Sequence, residues 1–154
     1  MRKGKVAIPE VIDNLRRVFQ AISGYSKNAE RTTGLTGPQL WAMKLLASSS
    51  SIKVSELARR MFLHPATVVG IIDRLEIKDL VTRTRSKEDR RVVHIELTGL
   101  GQELITNAPE VAQVMLMNGL NELSDEQFSH VEEGMQQLVR ILGAEQITPQ
   151  PLHG

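Results

Sequence analysis

Apolar residues recur with a helical period over most of the chain and switch to period two only near residues 80–97. From Pro9 onward, Val11, Ile12, Leu15, Val18, Phe19, Ile22, Tyr25 and Ala29 form one stripe, which predicts a long helix closed by Gly34. That stripe exceeds what a terminal helix needs to cover a small domain, so it packs on a second lobe or on a second chain. Thr36-Gly37-Pro38-Gln39 has the form of a capping box and opens a helix through Leu40, Trp41, Met43, Leu45 and Leu46. Ile52 and Val54 suit a very short strand. Ser55–Met61 reads as a short helix with Leu57, Ala58 and Met61 inward.

Phe62-Leu63-His64 then turns the chain into a helix over 65–78. Pro65 stands where the first helical N–H would be unpaired anyway, and Val68, Ile71, Ile72 and Leu75 make the inward stripe. Ala66, Thr67, Gly70 and Arg74 fall on the opposite face, small residues followed by one cation. Asp79 ends the helix at a position that favours glycine. Leu80–Thr84 and the alternation of Val93, Ile95 and Leu97 with His94 and Glu96 predict two strands around a charged tip, Arg85–Arg91. A short helix, a tight turn, a second helix and a basic two-stranded ribbon make a winged helix-turn-helix. The expected fold class is mainly α with a small β-hairpin wing. In that arrangement the 65–78 helix enters a DNA major groove and the ribbon reaches the neighbouring minor groove.

Thr98 caps the next helix, whose apolar positions are Leu100, Leu104, Ala108, Val111, Ala112 and Met115, with a break expected near Ile105–Pro109 because of the proline. Ser124-Asp125-Glu126-Gln127 is a second capping box, flanked by the staple pair Leu123 and Phe128. Phe128, Val131, Met135, Leu138 and Leu142 continue as a stripe to Gly143. The basic start, MRKGKVAI, is expected to fray, and the end, AEQITPQPLHG, to be a disordered tail.

The length of 154 residues fits one domain with a real core, and 41% hydrophobic residues exclude a disordered chain. The absence of cysteine excludes disulfides, thiolate zinc sites and thiol-based redox sensing. No apolar run approaches a membrane span, and Glu10 and Asp13 interrupt any leader pattern, so a cytoplasmic protein is expected. The net charge of +1 hides an asymmetry: residues 1–52 carry +5, 53–94 carry +4 and 95–154 carry −8. Such a chain presents a preferred face to a polyanion. Enzymatic chemistry has no support: Ser48–Ser51 lack a nucleophile-elbow context, and there is no phosphate loop. No cofactor is expected. Glu126, His130 and Glu133 share a helix face, but solvated helices look the same, so no metal is expected. His94 and His153 have no evident companions.

These residues resemble the MarR family of bacterial transcription regulators. The resemblance rests on Ser55-Glu56-Leu57-Ala58, Thr67-Val68-Val69, Asp73-Arg74-Leu75-Glu76, Leu80-Val81-Thr82-Arg83, Asp89-Arg90-Arg91, and Leu97-Thr98 followed by Gly101. Each motif alone is weak; together, at this spacing, with a helix before and two after, they are strong, and the match runs in order over nearly the whole chain. The resemblance implies a homodimeric repressor or activator, with residues 36–98 as the DNA-binding lobe and residues 9–34 and 99–143 as the dimerisation lobe, followed by the tail 144–154. Many members release DNA when a small aromatic acid or other effector occupies the cleft between the lobes. This chain has Asp79 where the family usually has glycine, and Gly70 where several members have a base-reading arginine.

Within that frame one of Arg90 and Arg91 enters the minor groove, and Asp89 steadies the turn by pairing with an arginine. Ala66 and Thr67 lie where base edges and thymine methyls are reachable. Arg74, Arg83, Arg85 and Lys87 are the expected phosphate contacts, and His64 is a helix cap or a further phosphate contact. Tyr25 and Trp41 are the aromatic candidates for an effector pocket, with plain core as the competing role. The expected function is a sequence-specific regulator of the repressor type, bound as a homodimer to a pseudo-palindrome in double-stranded DNA. The alternative is a winged-helix module for protein contacts, which the basic wing disfavours.

Overall fold

The structure, a computed structural model, describes residues 7–152. The expected fraying of the basic start therefore lies outside the described residues, except that Ala7 caps the first helix and Ile8 already belongs to it. His153 also lies outside them. In chain order the elements are α1 (Ile8–Thr33), α2 (Gly37–Ala47), β1 (Ile52–Lys53), α3 (Val54–Met61), α4 (Pro65–Ile77), β2 (Val81–Arg85), β3 (Val93–Leu97), α5 (Gly99–Thr106), α6 (Ala112–Glu122) and α7 (Asp125–Ile141).

Local chemistry sets most boundaries. Gly34 closes α1 in the left-handed region (φ 73°), its N–H donating to the Glu30 carbonyl. Thr36 and Gln39 form a complete capping box at α2, and Ser124 and Gln127 form another at α7. The Thr98 hydroxyl accepts from the Gly101 N–H at 3.0 Å and donates to the Asp79 carbonyl at 2.6 Å, which ties the start of α5 to the end of α4. The proline break falls as expected: the 107–111 segment separates α5 from α6. The apolar positions 100–115 consequently do not form one stripe, and Leu100 is exposed.

The sheet is antiparallel, in the order β1-β3-β2. Ile52 pairs with Ile95, and Arg83 lies opposite Ile95 on the other side. Only Ile52 and Lys53 are extended; Val54 begins α3 rather than prolonging the strand. Leu40, Met43, Leu46, Leu57, Met61, Val68, Ile72, Leu75, Val81 and Ile95 are almost wholly buried and weld α2, α3, α4 and the sheet into one core. Gly101 lets α5 approach that core, because a Cβ there would collide with the Leu80 carbonyl.

The terminal helices pack differently. α1 buries only Ser26 and Ala29, near its C-terminal end, and α7 buries no residue. Val11, Ile12, Val18 and Phe19 of α1, Met115 and Leu116 of α6, and Phe128, Val131, Met135 and Val139 of α7 remain exposed. The final segment corrects an expectation. It is not a loose tail: the Leu152 carbonyl accepts from the Gln113 side chain at 2.6 Å, and Pro151 is half-buried. A buried amide donor on α6 explains why an end with no regular structure is held.

Candidate nucleic-acid interface

The α3–α4 corner is built on a positive-φ residue. Phe62 (φ 54°) ends α3, and its N–H and that of Leu63 return to the carbonyls of Arg59 and Ala58 at 3.2 and 3.1 Å. On the outer side of α3, Glu56 accepts from Arg59 at 2.5 and 3.0 Å and from Arg60 at 3.0 Å. The Arg59 hydrogen bonds, then those of Arg60, bring the Glu56 carboxyl down to about 2. His64 caps α4: its Nδ1 accepts from the Ala66 N–H at 3.1 Å. In the neutral ring the proton then sits on Nε2, a donor on an exposed side chain.

α4 buries Val68, Ile71, Ile72 and Leu75 and turns Ala66, Val69, Gly70, Asp73 and Arg74 outward, with Thr67 half-buried. Val69 is an outward apolar residue that periodicity did not single out; it offers a methyl surface beside the small residues. Thr67, Gly70 and Arg74 line a hollow of about 260 Å³ with Thr36, Pro38 and Gln39 at the start of α2 and with Pro151.

The wing tip is a hydrogen-bonded loop rather than an open end. The Ser86 N–H donates to the Val92 carbonyl at 2.9 Å, and the Ser86 hydroxyl accepts from the N–H groups of Glu88 and Asp89 at 3.3 and 3.4 Å. Asp89 Oδ1 accepts from the Arg91 N–H at 3.0 Å and from Arg91 Nε at 3.3 Å. The Arg85 guanidinium donates to the Arg90 carbonyl at 3.2 Å. Arg85, Lys87 and Arg90 come together around one hollow with Ser86, of about 590 Å³. Arg85 also borders a second hollow of about 240 Å³, with Val54, Val69, Ile72, Arg83 and Val93. Through Arg85 the outer face of α4 and the wing tip therefore join in one surface.

Arg83 stands apart from the other wing cations. Its guanidinium is ion-paired with Asp73 on α4 and lies 3.9 Å from Glu76 one turn on. The carboxylates at i and i+3 face it from one edge of the helix. Asp73 and Glu76 share one motif in the sequence, but no sequence signal shows that a strand arginine reaches them.

The two aromatic candidates separate. Trp41 is 5% exposed within the core. Tyr25 lines an apolar hollow of about 450 Å³ with Val18, Ile22, Ala112, Met115 and Leu120. His94, expected to be alone, has Ser51 as a companion, Oγ to Nδ1 at 3.2 Å across the β1–β3 pair. No group of three His, Asp or Glu able to hold a metal occurs among the described residues. None of their helices is long and apolar enough to cross a membrane.

Comparison with known proteins agrees with this geometry. Residues 35–93 match the model of the MarR family. The transcriptional repressor MdtR of Bacillus subtilis is 35% identical over 66% of this chain, and the match spans 65% of that protein's length. The organic hydroperoxide resistance transcriptional regulator of the same organism is 31% identical, over 70% of this chain and 72% of its own. A MepR-like protein crystallised with pseudoligands has the same fold, with a TM-score of 0.61 and 26% identity, covering 88% of this chain and 96% of that one. These likenesses make the chain a member of the MarR family of transcriptional regulators.

Proposed function

We propose that this protein is a sequence-specific regulator of transcription, acting as a homodimeric repressor on a pseudo-palindrome in double-stranded DNA. The observation that carries this reading is the continuous surface made by the outer face of α4 and the wing, joined at Arg85 and ending on Lys87 and Arg90. Cations on a rigid hairpin beside a helix with a small-residue face suit phosphate and minor-groove contacts around a major-groove helix. His64, Arg74 and Arg91 extend the surface, while Ala66, Thr67 and Val69 supply the base-facing side. A protein-interaction module would present fewer charges at its centre. A regulator acting on the chromosome works in the cytoplasm, and no catalytic step belongs to this reading.

Homodimerisation follows from the exposed apolar residues of α1, α6 and α7. In this division of labour α2–α4 and the wing form the DNA-binding lobe, and the terminal helices form the dimerisation lobe. A twofold dimer places the two α4 helices about 34–36 Å apart, one turn of DNA. A small aromatic acid is the effector class we favour. Phe19, Ile22, Lys27 and Pro151 line a hollow of about 580 Å³ that combines apolar walls with one cation. Without cysteine, a thiol-based peroxide response does not transfer from the hydroperoxide regulator's name to this chain.

The test is selection of bound sequences from random duplex DNA, followed by titration of the selected site against a scrambled one. A pseudo-palindromic consensus bound at least a hundredfold more tightly than the scrambled duplex is expected. Equal binding to both duplexes overturns the reading.

A further inference from the structure

The end of the chain crosses a junction that the DNA-binding reading does not use. After Gly143 the Ala144 N–H returns to the Val139 carbonyl at 2.9 Å, and the Ile147 N–H returns to the Ala144 carbonyl at 3.1 Å. Pro149 and Pro151 stiffen the last residues, so docking costs less conformational entropy than for a flexible segment. The Leu152 carbonyl then meets Gln113, a residue only 7% exposed, whose side-chain amide donates to it at 2.6 Å. Gln113 and Leu152 converge with Ser26 of α1 on one point: all three would lie within 4 Å of a Cβ on Gly37. Removing the tail would leave a buried amide donor without this acceptor, so the junction favours its occupant.

Pro151 stands between two parts of the molecule. On one side it closes the hollow against Phe19, Ile22 and Lys27 of α1. On the other it is a wall of the hollow lined by Thr67, Gly70 and Arg74 of α4. A DNA strand that reaches Arg74 enters the space Pro151 bounds.

We propose that the C-terminal segment 144–152 is an intramolecular brake on DNA binding. Docked, it straps α6 and α1 to the edge of α4 and narrows the approach to Arg74; undocked, it frees the helix. The inference rests on the DNA-binding reading. Apparent affinity is that of the released form multiplied by the fraction of molecules whose tail is released, so it rises as the tail undocks. An effector that takes the Phe19–Lys27 hollow has to contend with the same tail.

The experiment uses the full chain. Gln113→Glu keeps the shape and removes the donor, and it is expected to tighten binding to the selected DNA by about three- to tenfold. In a second variant, Ser23→Cys with Pro151→Cys, the introduced thiols are the only ones in the chain. A short bis-methanethiosulfonate cross-linker joins them through two reducible disulfides, with methanesulfinate as the leaving group and mass spectrometry confirming that the link lies within one chain. The linked form is expected to bind DNA at least tenfold more weakly than its own reduced form, with full recovery on cleavage. Failure of the intrachain link to form overturns the docked tail. Equal affinity of linked and cleaved forms overturns the brake. If the wild-type chain ignores DNA while the link forms normally, the DNA-binding reading falls with the brake, and tail docking stands by itself.

Discussion

Arg83 of β2 holds Asp73 of α4, so the wing is anchored to the helix beside it rather than hanging from its two strand ends. The pair spans two elements that must present one surface. Both side chains are partly exposed, 31% for Arg83 and 52% for Asp73, so its worth to stability is small, about 0–1 kcal/mol. Its worth to function is orientation. Arg83→Ala and Asp73→Asn should each weaken DNA binding several-fold with little change in melting temperature. Because Arg83 is engaged within the protein, the log–log salt slope should stay near the wild-type value in both variants. A slope that falls by about 2 per dimer for Arg83→Ala alone would return Arg83 to the phosphate contacts.

Lys87 and the Arg90–Arg91 pair should separate by kind of contact. Lys87→Ala should weaken all sequences alike and reduce the salt slope of the dimer by about 2. Replacing Arg90 and Arg91 together by alanine should instead erase most of the preference for A·T-rich flanks, where a narrow minor groove attracts arginine. Titrations on flank-altered duplexes across a salt series measure both. A double variant that keeps its flank preference means that the wing does not enter the minor groove.

The terminal helices should hold the dimer. Val131→Glu with Met135→Glu places two carboxylates on the exposed apolar face of α7. Because α7 buries no residue in the single chain, the variant should fold yet become monomeric at micromolar concentration. Light scattering and circular dichroism check this together. A dimer of unchanged mass assigns the interface elsewhere.

Gly101→Ala should destabilise the fold by about 1–3 kcal/mol, because its Cβ meets a backbone carbonyl that has no rotamer in which to move away. A melting curve that superimposes on the wild type would show that α5 shifts freely against Leu80.

Asp79→Gly should act in the opposite direction. Asp79 sits at φ 58°, where a side chain crowds the following carbonyl. Relief of that crowding, offset by the flexibility of an unfolded glycine, predicts a gain of about 0.5–1 kcal/mol. Chemical denaturation with an unchanged m-value is the measurement.

Periodicity, caps and charge are enough to place the elements along the chain. The stripe Val68, Ile71, Ile72 and Leu75 is buried as a unit, and both capping boxes form, because helix stripes and caps are decided by neighbours three or four residues apart. The basic tip was legible for the same reason: Arg85 to Arg91 are contiguous. Contacts between distant segments were not. Arg83 finding Asp73 and His94 finding Ser51 both depend on how the strands come to lie against other elements. The tail is the clearest case. Residues 144–152 have neither stripe nor cap, so sequence alone makes them loose. They are held because folding brings a buried amide from α6, 39 positions earlier in the chain, within 2.6 Å of one backbone carbonyl. Local patterns determine which segments become helix or strand; only the packed chain decides which polar groups are left inside needing a partner.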